Sequence, residues 1–348
     1  MSMKNKVKVL VIGSGAGGLG SAAWLKKFDL DFMVVDSAKE LPLNLSNGVH
    51  YLHSIPELPF ETDLKEITLT DGILEYGGKI KHKADLNDAL CYSEKVREIQ
   101  HPSSIMDIGE RKTVFMPKSN DVNKILRDCY EYADPENFQF GFTLQSIDVV
   151  KKVAVFMRNE LEYRVVYEHI ISTVPLDKFS KMTELPELAG LKFDATPIYI
   201  TNYSVKGIVP NWMINLYIPD ADTSIYRASI LNGICSVESI RELRDYEIKH
   251  VRERLRMFHL VDSEPTTFTW KTGKVVSISI DDRIAVVNLF KGFEIYQIGR
   301  FGLWNRKLLI DSTIEQAKTV VRHIARGDLS VEHPLSVPWN DVEEILSK

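Results

Sequence analysis

The sequence predicts an α/β fold, and three observations near its start predict it: an apolar strand, a glycine-rich turn opening a helix, and a second apolar strand ending in a carboxylate. Val7 to Ile12 (VKVLVI) is apolar apart from Lys8, the pattern of a parallel strand covered on both faces. Gly13-Ser14-Gly15-Ala16-Gly17-Gly18 then fits GxGxxG, and Leu19 to Lys27 continues as a helix with small residues toward the sheet. Gly13 would permit the tight turn, Gly15 would let a pyrophosphate approach the backbone, and Gly18 would let the helix lie on its strand. The phosphates would sit at the positive helix N-terminus. Asp31 to Val35 forms the second strand and runs into Asp36, 18 residues after Gly18. That spacing suits a carboxylate accepting from an adenosine ribose and argues against a 2′-phosphate. Together these elements predict a Rossmann-like FAD/NAD(P)-binding domain, with FAD and NAD both open because the physics of holding an ADP moiety is shared.

Composition bounds the rest. The 348 residues suggest about two domains, or one large α/β unit carrying an insertion. With 44% hydrophobic residues the chain can bury a substantial core, which excludes a disordered protein. The balance of 43 Lys+Arg against 48 Asp+Glu, a net charge of −5, gives no bulk-charge footprint for nucleic acid or anionic lipid. Cys91, Cys129 and Cys235 are too few and scattered for a disulfide framework, and none has zinc-site spacing, so no metal is expected. The start of the chain lacks the pattern of a secretory signal, and no window of ~18 consecutive apolar residues exists. A cytoplasmic setting, no membrane and a small-molecule substrate are the expectation.

Further along, Ser37 to Asn47 reads as a loop and Gly48 to Ser54 (GVHYLHS) places His50 and His53 around an aromatic; alone they could be plain surface histidines. Residues 63–132 are polar and lysine-rich, with turn signals at Asp71-Gly72 and Gly77-Gly78, and read as an insert ending in a helix from Asn120 to Tyr132. Phe140 to Phe156 and Glu162 to Thr173 read as a meander around a turn at Arg158-Asn159. Ala195 to Arg227 is strand-rich, followed by a long amphipathic helix from Val237 to Phe258. Asp282 to Phe290 suits a short helix, Phe293 to Ile298 a strand, and Asp311-Ser312 opens a helix reaching Arg326. The division expected is a discontinuous FAD-binding domain of residues 1–62, 133–180 and 281–330. A substrate or cap domain, built on a mainly antiparallel sheet plus helices, would take 63–132 and 181–280, and 331–348 would form a tail with a short helix after Asn340.

Four segments in this order resemble the flavoprotein group of FAD-dependent amine oxidases, protoporphyrinogen oxidases and UDP-galactopyranose mutases. GSGAGGLGSAAWL resembles the group's dinucleotide fingerprint, NGVHYLHS the mutase histidine loop, HIISTVPLDKF the re-entry into the FAD domain, and IGRFGLWNRKLLIDSTIEQA the C-terminal flavin segment. WMINLYIPDADTSIYR is similar to the group's substrate-domain strands ending in Tyr-Arg. The resemblance implies that Gly13, Gly15, Gly17, Gly18, Asp36 and Ser37 hold the ADP half of FAD and that Leu144 offers backbone to the adenine. It implies that Gly299, Arg300, Asp311 and Ser312 serve the flavin end, with His50 approaching the isoalloxazine and Arg227 and Arg300 lining the substrate side. Those cations could stabilise a reduced flavin or clamp an anionic substrate. His50, His53, Arg227 and Arg300 are the catalytic candidates. The chain departs from the group in having thirteen residues between Asp36 and His50, without the usual Gly-Gly doublet.

Four functions remain open on the residues. Hydride transfer from a substrate to flavin makes the chain an oxidoreductase; reduced flavin acting as nucleophile makes it a mutase-like isomerase; a bound dinucleotide without turnover makes it a binding protein. A plain NAD-dependent dehydrogenase fits worst, because the meander interrupts the series of βαβ units such an enzyme normally has.

Overall fold

The computed structural model describes residues 4–43, 48–75, 79–97, 105, 111–206, 211–255 and 265–326. The strand and turn expectations near the N-terminus appear as β1 (Lys6–Ile12), α1 (Ala16–Lys27) and β2 (Phe32–Asp36). β2, β6 (Phe138–Phe140) and the second half of β9 (Leu161–Ser172) lie parallel to one another around β1, and β15 (Ile295–Gln297) extends the parallel set beyond β9. The first half of β9 instead closes the expected antiparallel meander with β7 (Thr143–Asp148) and β8 (Val153–Arg158). Asn159 and Glu160 take the two positive-φ positions of the tight hairpin between β8 and β9.

This first sheet is covered on both faces, as the apolar run at 7–12 requires. Val9, Val11, Phe32 and Val34 pack against α1, α3 (Asn123–Tyr132) and α8 (Ile310–Arg326), while Leu10, Ile12, Met33 and Val35 join the meander, α4 (Leu176–Thr183) and α6 (Ile280–Lys291). The alternation follows from the period-2 geometry of a strand. α6 starts two residues earlier than expected because Ser279, not Asp282, caps it, accepting from Asp282 N at 3.0 Å.

The second sheet has the order β14-β10-β13-β12-β11-β3-β4, with β5 also on β3. Its strands are β3 (Leu64–Leu74), β4 (Ile80–Lys81), β5 (Arg111–Pro117), β10 (Asp194–Ser204), β11 (Trp212–Tyr217), β12 (Ile225–Leu231), β13 (Ile234–Ser239) and β14 (Thr266–Val276). It is antiparallel throughout except where β11 runs parallel to β3. α2 (Leu86–Lys95), opened by an Asp85/Asp88 capping box, follows β4, and α5 (Asp245–Arg254) follows β13. Between β15 and α8 lies the one-turn helix α7 (Gly299–Gly302).

Three further expectations are corrected. Asp71 and Gly72 do not turn the chain; they lie inside β3, opposite Asn215 and Leu216, where Gly72 is required because a Cβ would come within 2.8 Å of Ile80. The helix expected from Val237 starts only at Asp245, since residues 234–239 pair with β12 through a two-residue Asn232-Gly233 turn, both at positive φ. That dipeptide is the strongest short hairpin signal and outweighs helical spacing. The strand expected over 293–298 is confined to 295–297. The Gly77-Gly78 turn, the end of the 237–258 helix and the tail at 331–348 lie outside the described residues. No described helix is long and apolar enough to cross a membrane.

The glycines of the first turn differ sharply in what a side chain would meet. A Cβ on Gly18 would fall on the carbonyl oxygen of Gly13, whereas one on Gly20 would find its nearest neighbours at an ordinary 3.5 Å. Gly18→Ala is therefore expected to cost about 3 kcal/mol or more, and Gly20→Ala to be neutral or stabilising by up to about 1 kcal/mol, in urea unfolding of the two variants beside the parent.

Candidate functional site

The dinucleotide end is built by the β1 turn. Gly13, at φ +97°, needs its glycine, and a Cβ there would also strike Thr173 Oγ1. A Cβ on Gly17 would come within 3.0 Å of the Thr173 and Thr313 side chains, so the start of α1 lies close against the end of β9 and α8. Gly15 is the exception: nothing lies within 4 Å of the position its Cβ would take. α1 has no side-chain cap and no acidic residue in its first turn. An open approach to an uncapped, positively polarised helix end fits a pyrophosphate. Asp36 lies beside it, accepting from Ser14 N at 2.6 Å, Ser14 Oγ at 2.7 Å and Ala38 N at 2.7 Å. Ser37 is exposed at the same strand end. Leu144 is buried and directly precedes a bulge, with Gln145 as the extra residue between the pairs Leu144/Phe156 and Ser146/Val155. A bulge leaves backbone groups outside the ladder.

At the other end, Gly299 (φ +78°) donates its N–H to Gln316 Oε1 at 2.9 Å, which ties α7 to α8. Arg300 Nε donates to the Leu308 carbonyl at 3.0 Å. Ser312 exchanges hydrogen bonds with the backbone of Leu309, and the buried Asp311 carboxylate accepts from both Ser54 N and Ser54 Oγ at 2.8 Å. Asp311 thus holds the segment carrying the two histidines. That strap, residues 48–57, is fastened again where Glu57 meets Lys318 and Arg322, and where Leu52 and Phe115 exchange backbone hydrogen bonds. Val49 packs on Ile67, Leu69 and Met213, so the strap is pressed between α8 and the inner face of the second sheet.

The register of that sheet sets out the face in rows. Asp71, Asn215, Ser229, Ser236 and Asn202 are successive cross-strand partners, and so are Ile73, Tyr217, Arg227, Glu238 and Ile200. In the first row Ser229 Oγ donates to Asn215 Oδ1 at 2.7 Å and Asn215 Nδ2 to Tyr51 Oη at 3.2 Å. Asp71, 5% exposed, has Lys112 Nζ 4.0 Å away, and burial raises its pKa. In the second row a bulge at Tyr226 lets adjacent residues converge: Tyr226 Oη and the Arg227 guanidinium both donate to Glu238. Burial opposes both charges of this pair, yet Glu238 keeps Arg227 protonated and Arg227 pulls Glu238 below the usual carboxylate range.

His50 stands in the field of this pair. Burial first, then the charges of Arg227 and Arg300, push its pKa down to about 4, against Glu238. Arg300 is itself lowered by burial and by Arg227. Lys274, on β14, joins the group: its Nζ donates to Tyr92 Oη at 3.1 Å and lies 4.2 Å from the Tyr226 ring centroid. The structure therefore brings His50, Arg227 and Arg300 together. His53 lies apart, exposed and with its ring tilted at 55° to that of Tyr51, 4.9 Å between centroids, nearer Asp311 and Asp71. Glu238, Lys274 and Tyr92 were not singled out in the sequence, where Tyr226 stood only as the residue before Arg227 and Asp71 only as a turn signal. One of them was within reach, because a two-residue loop at Asn232-Gly233 places Glu238 opposite Arg227 by counting back along the hairpin.

Two outcomes test this electrostatics. Glu238→Gln keeps the shape but removes the charge that three cations share, and should cost about 3 kcal/mol in denaturant unfolding; unchanged stability would show that the cations do not depend on it. His50 stays neutral in the folded chain until about pH 4, whereas the unfolded chain protonates its histidines near 6.5. Stability should fall as pH drops from 6.5 toward 4, and His50→Gln should lack that component in melting curves across the window.

No protein-family model matches the sequence, and no curated protein matches it. Solved structures do. The chain is similar to reduced UDP-galactopyranose mutase, with a TM-score of 0.71, 16% identity and 97% of each chain covered. It is also similar to a CLA-producing fatty acid isomerase from P. acnes, at TM-score 0.61, 11% identity and 92% and 99% coverage. A third similarity is to aklavinone-11 hydroxylase in complex with FAD and aklavinone, at TM-score 0.53 and 11% identity over 93% of this chain and 63% of that one. The chain thus shares its two-sheet, Rossmann-type fold with these proteins, one of them solved with FAD bound, as its motifs led one to expect.

Proposed function

We propose that the chain is an FAD-dependent oxidoreductase. The observation that carries the cofactor is the open cradle at Gly15, where a side chain would occupy space otherwise kept clear in front of an uncapped helix end. Gly13, Gly17 and Gly18 shape that turn, Asp36 and Ser37 take the ribose end, and the backbone around Leu144 meets the adenine. Gly299, Arg300 and the start of α8 at Asp311 and Ser312 serve the flavin end. Residues 1–62, 133–180 and 281–330 form the cofactor-binding unit, joined by the helix at 123–132 that packs on α1; 63–122 and 181–280 form the substrate unit.

When bound, FAD supplies an acceptor for hydride from a substrate carbon. The chain's own residues do the rest. The strap at 48–57 places His50 between the layers and keeps its imidazole neutral at neutral pH, so that it can accept a hydrogen bond or a proton. Arg227, held in one orientation by Glu238, and Arg300, held by the Leu308 carbonyl, stabilise negative charge that develops between the sheets. His53 and Tyr51 line the side toward Asp71.

A second reading is a mutase-like isomerase using reduced flavin as nucleophile. It is favoured by the end-to-end similarity to reduced UDP-galactopyranose mutase. It predicts turnover that requires prior reduction of the flavin and no net redox change.

The visible spectrum of the purified protein, followed by mass identification of whatever heat releases, tests the cofactor. A yellow protein releasing FAD is the expected result, with Gly15→Val folding normally but colourless. A colourless parent that binds NAD and not FAD, or full FAD retention in Gly15→Val, overturns the reading.

A further inference from the structure

Three cations meet here, Arg227 and Lys274 from the second sheet and Arg300 from α7, and they are held in different ways. Arg227 is committed to Glu238, to which its Nε and Nη2 both donate. Arg300 spends Nε on the Leu308 carbonyl, and a guanidinium has four further N–H donors. Lys274 rises from β14 opposite Thr196, in a stretch where the β10 pairing is irregular, and its ammonium lies against two aromatic rings. Nζ is 4.2 Å from the Tyr226 ring centroid and 5.2 Å from that of Tyr92, and donates to Tyr92 Oη. Tyr92 is in turn set edge-on to Tyr217 and Tyr226, so the three rings form a wall at this end of the sheet.

The groups facing Lys274 come from every neighbouring element: Tyr92 from α2, Tyr226 and Arg227 from β12, Glu238 from β13 and Arg300 from α7. Among the described residues whose charge acts on the lysine, the Glu238 carboxylate is set against Arg227 and Arg300, and Arg306 acts on Tyr92 beside them. Excess positive charge in a half-buried place costs free energy that an incoming negative charge removes. The lysine registers this most: burial, then Arg227 and Arg300, bring its pKa to about 7, with Glu238 opposing. Such an environment repels an ammonium group and attracts an oxyanion.

We propose that Lys274, with Arg300, receives an oxyanion of the substrate, a carboxylate or phosphoryl group laid against the rings of Tyr92 and Tyr226. This deepens the flavoenzyme reading and rests on it for the location of the reaction, but not for the binding of the anion. The lysine is the adaptable member. Its ammonium can turn from Tyr92 Oη onto a ligand, while Arg227 is fixed by Glu238. A bound anion favours the charged amine, so binding takes up a proton wherever the free lysine is neutral, and affinity falls as pH rises past about 7.

The test is thermal shift of the full chain with sodium sulfate, sodium acetate and tetramethylammonium chloride at matched ionic strength, from about pH 6 to about pH 9. The visible flavin band is read on the same samples. Sulfate or acetate should raise the melting temperature of the parent, with the rise shrinking above neutral pH; the stronger of the two separates a phosphoryl-type from a carboxylate ligand. Lys274→Met should weaken the anion at least about tenfold. Lys274→Arg should bind it without the fall at high pH, since its charge is permanent. Lys274→Gln, which keeps a donor for Tyr92, repeats the Met test in case that variant does not fold. A parent that responds to neither anion, a preference for tetramethylammonium, or a neutral variant that responds as the parent does overturns the proposal. The flavin band reports separately on the cofactor: loss of FAD with an intact anion response sinks only the flavoenzyme reading, and the reverse sinks only the anion site.

Discussion

Glu238 is the residue on which the arrangement between the two sheets depends. A guanidinium, an ammonium and a second guanidinium within one another's field would not share a half-buried face without a carboxylate among them. The fold supplies that carboxylate with two devices. The Asn232-Gly233 hairpin sets the register that brings Glu238 opposite Arg227, and the bulge at Tyr226 turns two consecutive side chains onto it. Without the bulge, Tyr226 and Arg227 would point to opposite faces, as neighbours on a strand do.

A second constraint brings the two layers together. The strap at 48–57 has little regular structure of its own and is defined by what it is fastened to: Asp311 through Ser54, Lys318 and Arg322 through Glu57, and Phe115 through Leu52. Most of those partners belong to α8, the last described helix, whose start is also the flavin end of the proposed site. Asp311 therefore has a role that a helix cap alone would not explain, since its carboxylate reaches across 257 residues of sequence to fix the segment bearing His50 and His53. The position of the histidines relative to the cation cluster follows from α8 as much as from their own segment.

The first sheet was legible in the residues because its signals are local. A glycine needed where a Cβ would strike Gly13 O, an apolar run shielded on both faces, and an acid at a strand end each declare themselves within a few positions. The second sheet was not, for reasons visible in particular residues. Asp71-Gly72 has the composition of a turn but is stretched into β3 by partners on β11. Val237 continues a spacing compatible with a helix, yet it belongs to a hairpin closed by Asn232-Gly233. Lys274 carries no motif at all, and only the approach of α2 and β12 gives it two aromatic rings and a shifted pKa.

By itself the sequence determined the dinucleotide turn, the α/β class and the meander, because backbone sterics and apolar periodicity act over a few residues. Tertiary structure decided which charges meet. His50, Arg227, Glu238, Lys274 and Arg300 come from five separate segments, and their ionisation depends on burial and on one another's fields. Those quantities are set by distances in space that spacing along the chain does not encode.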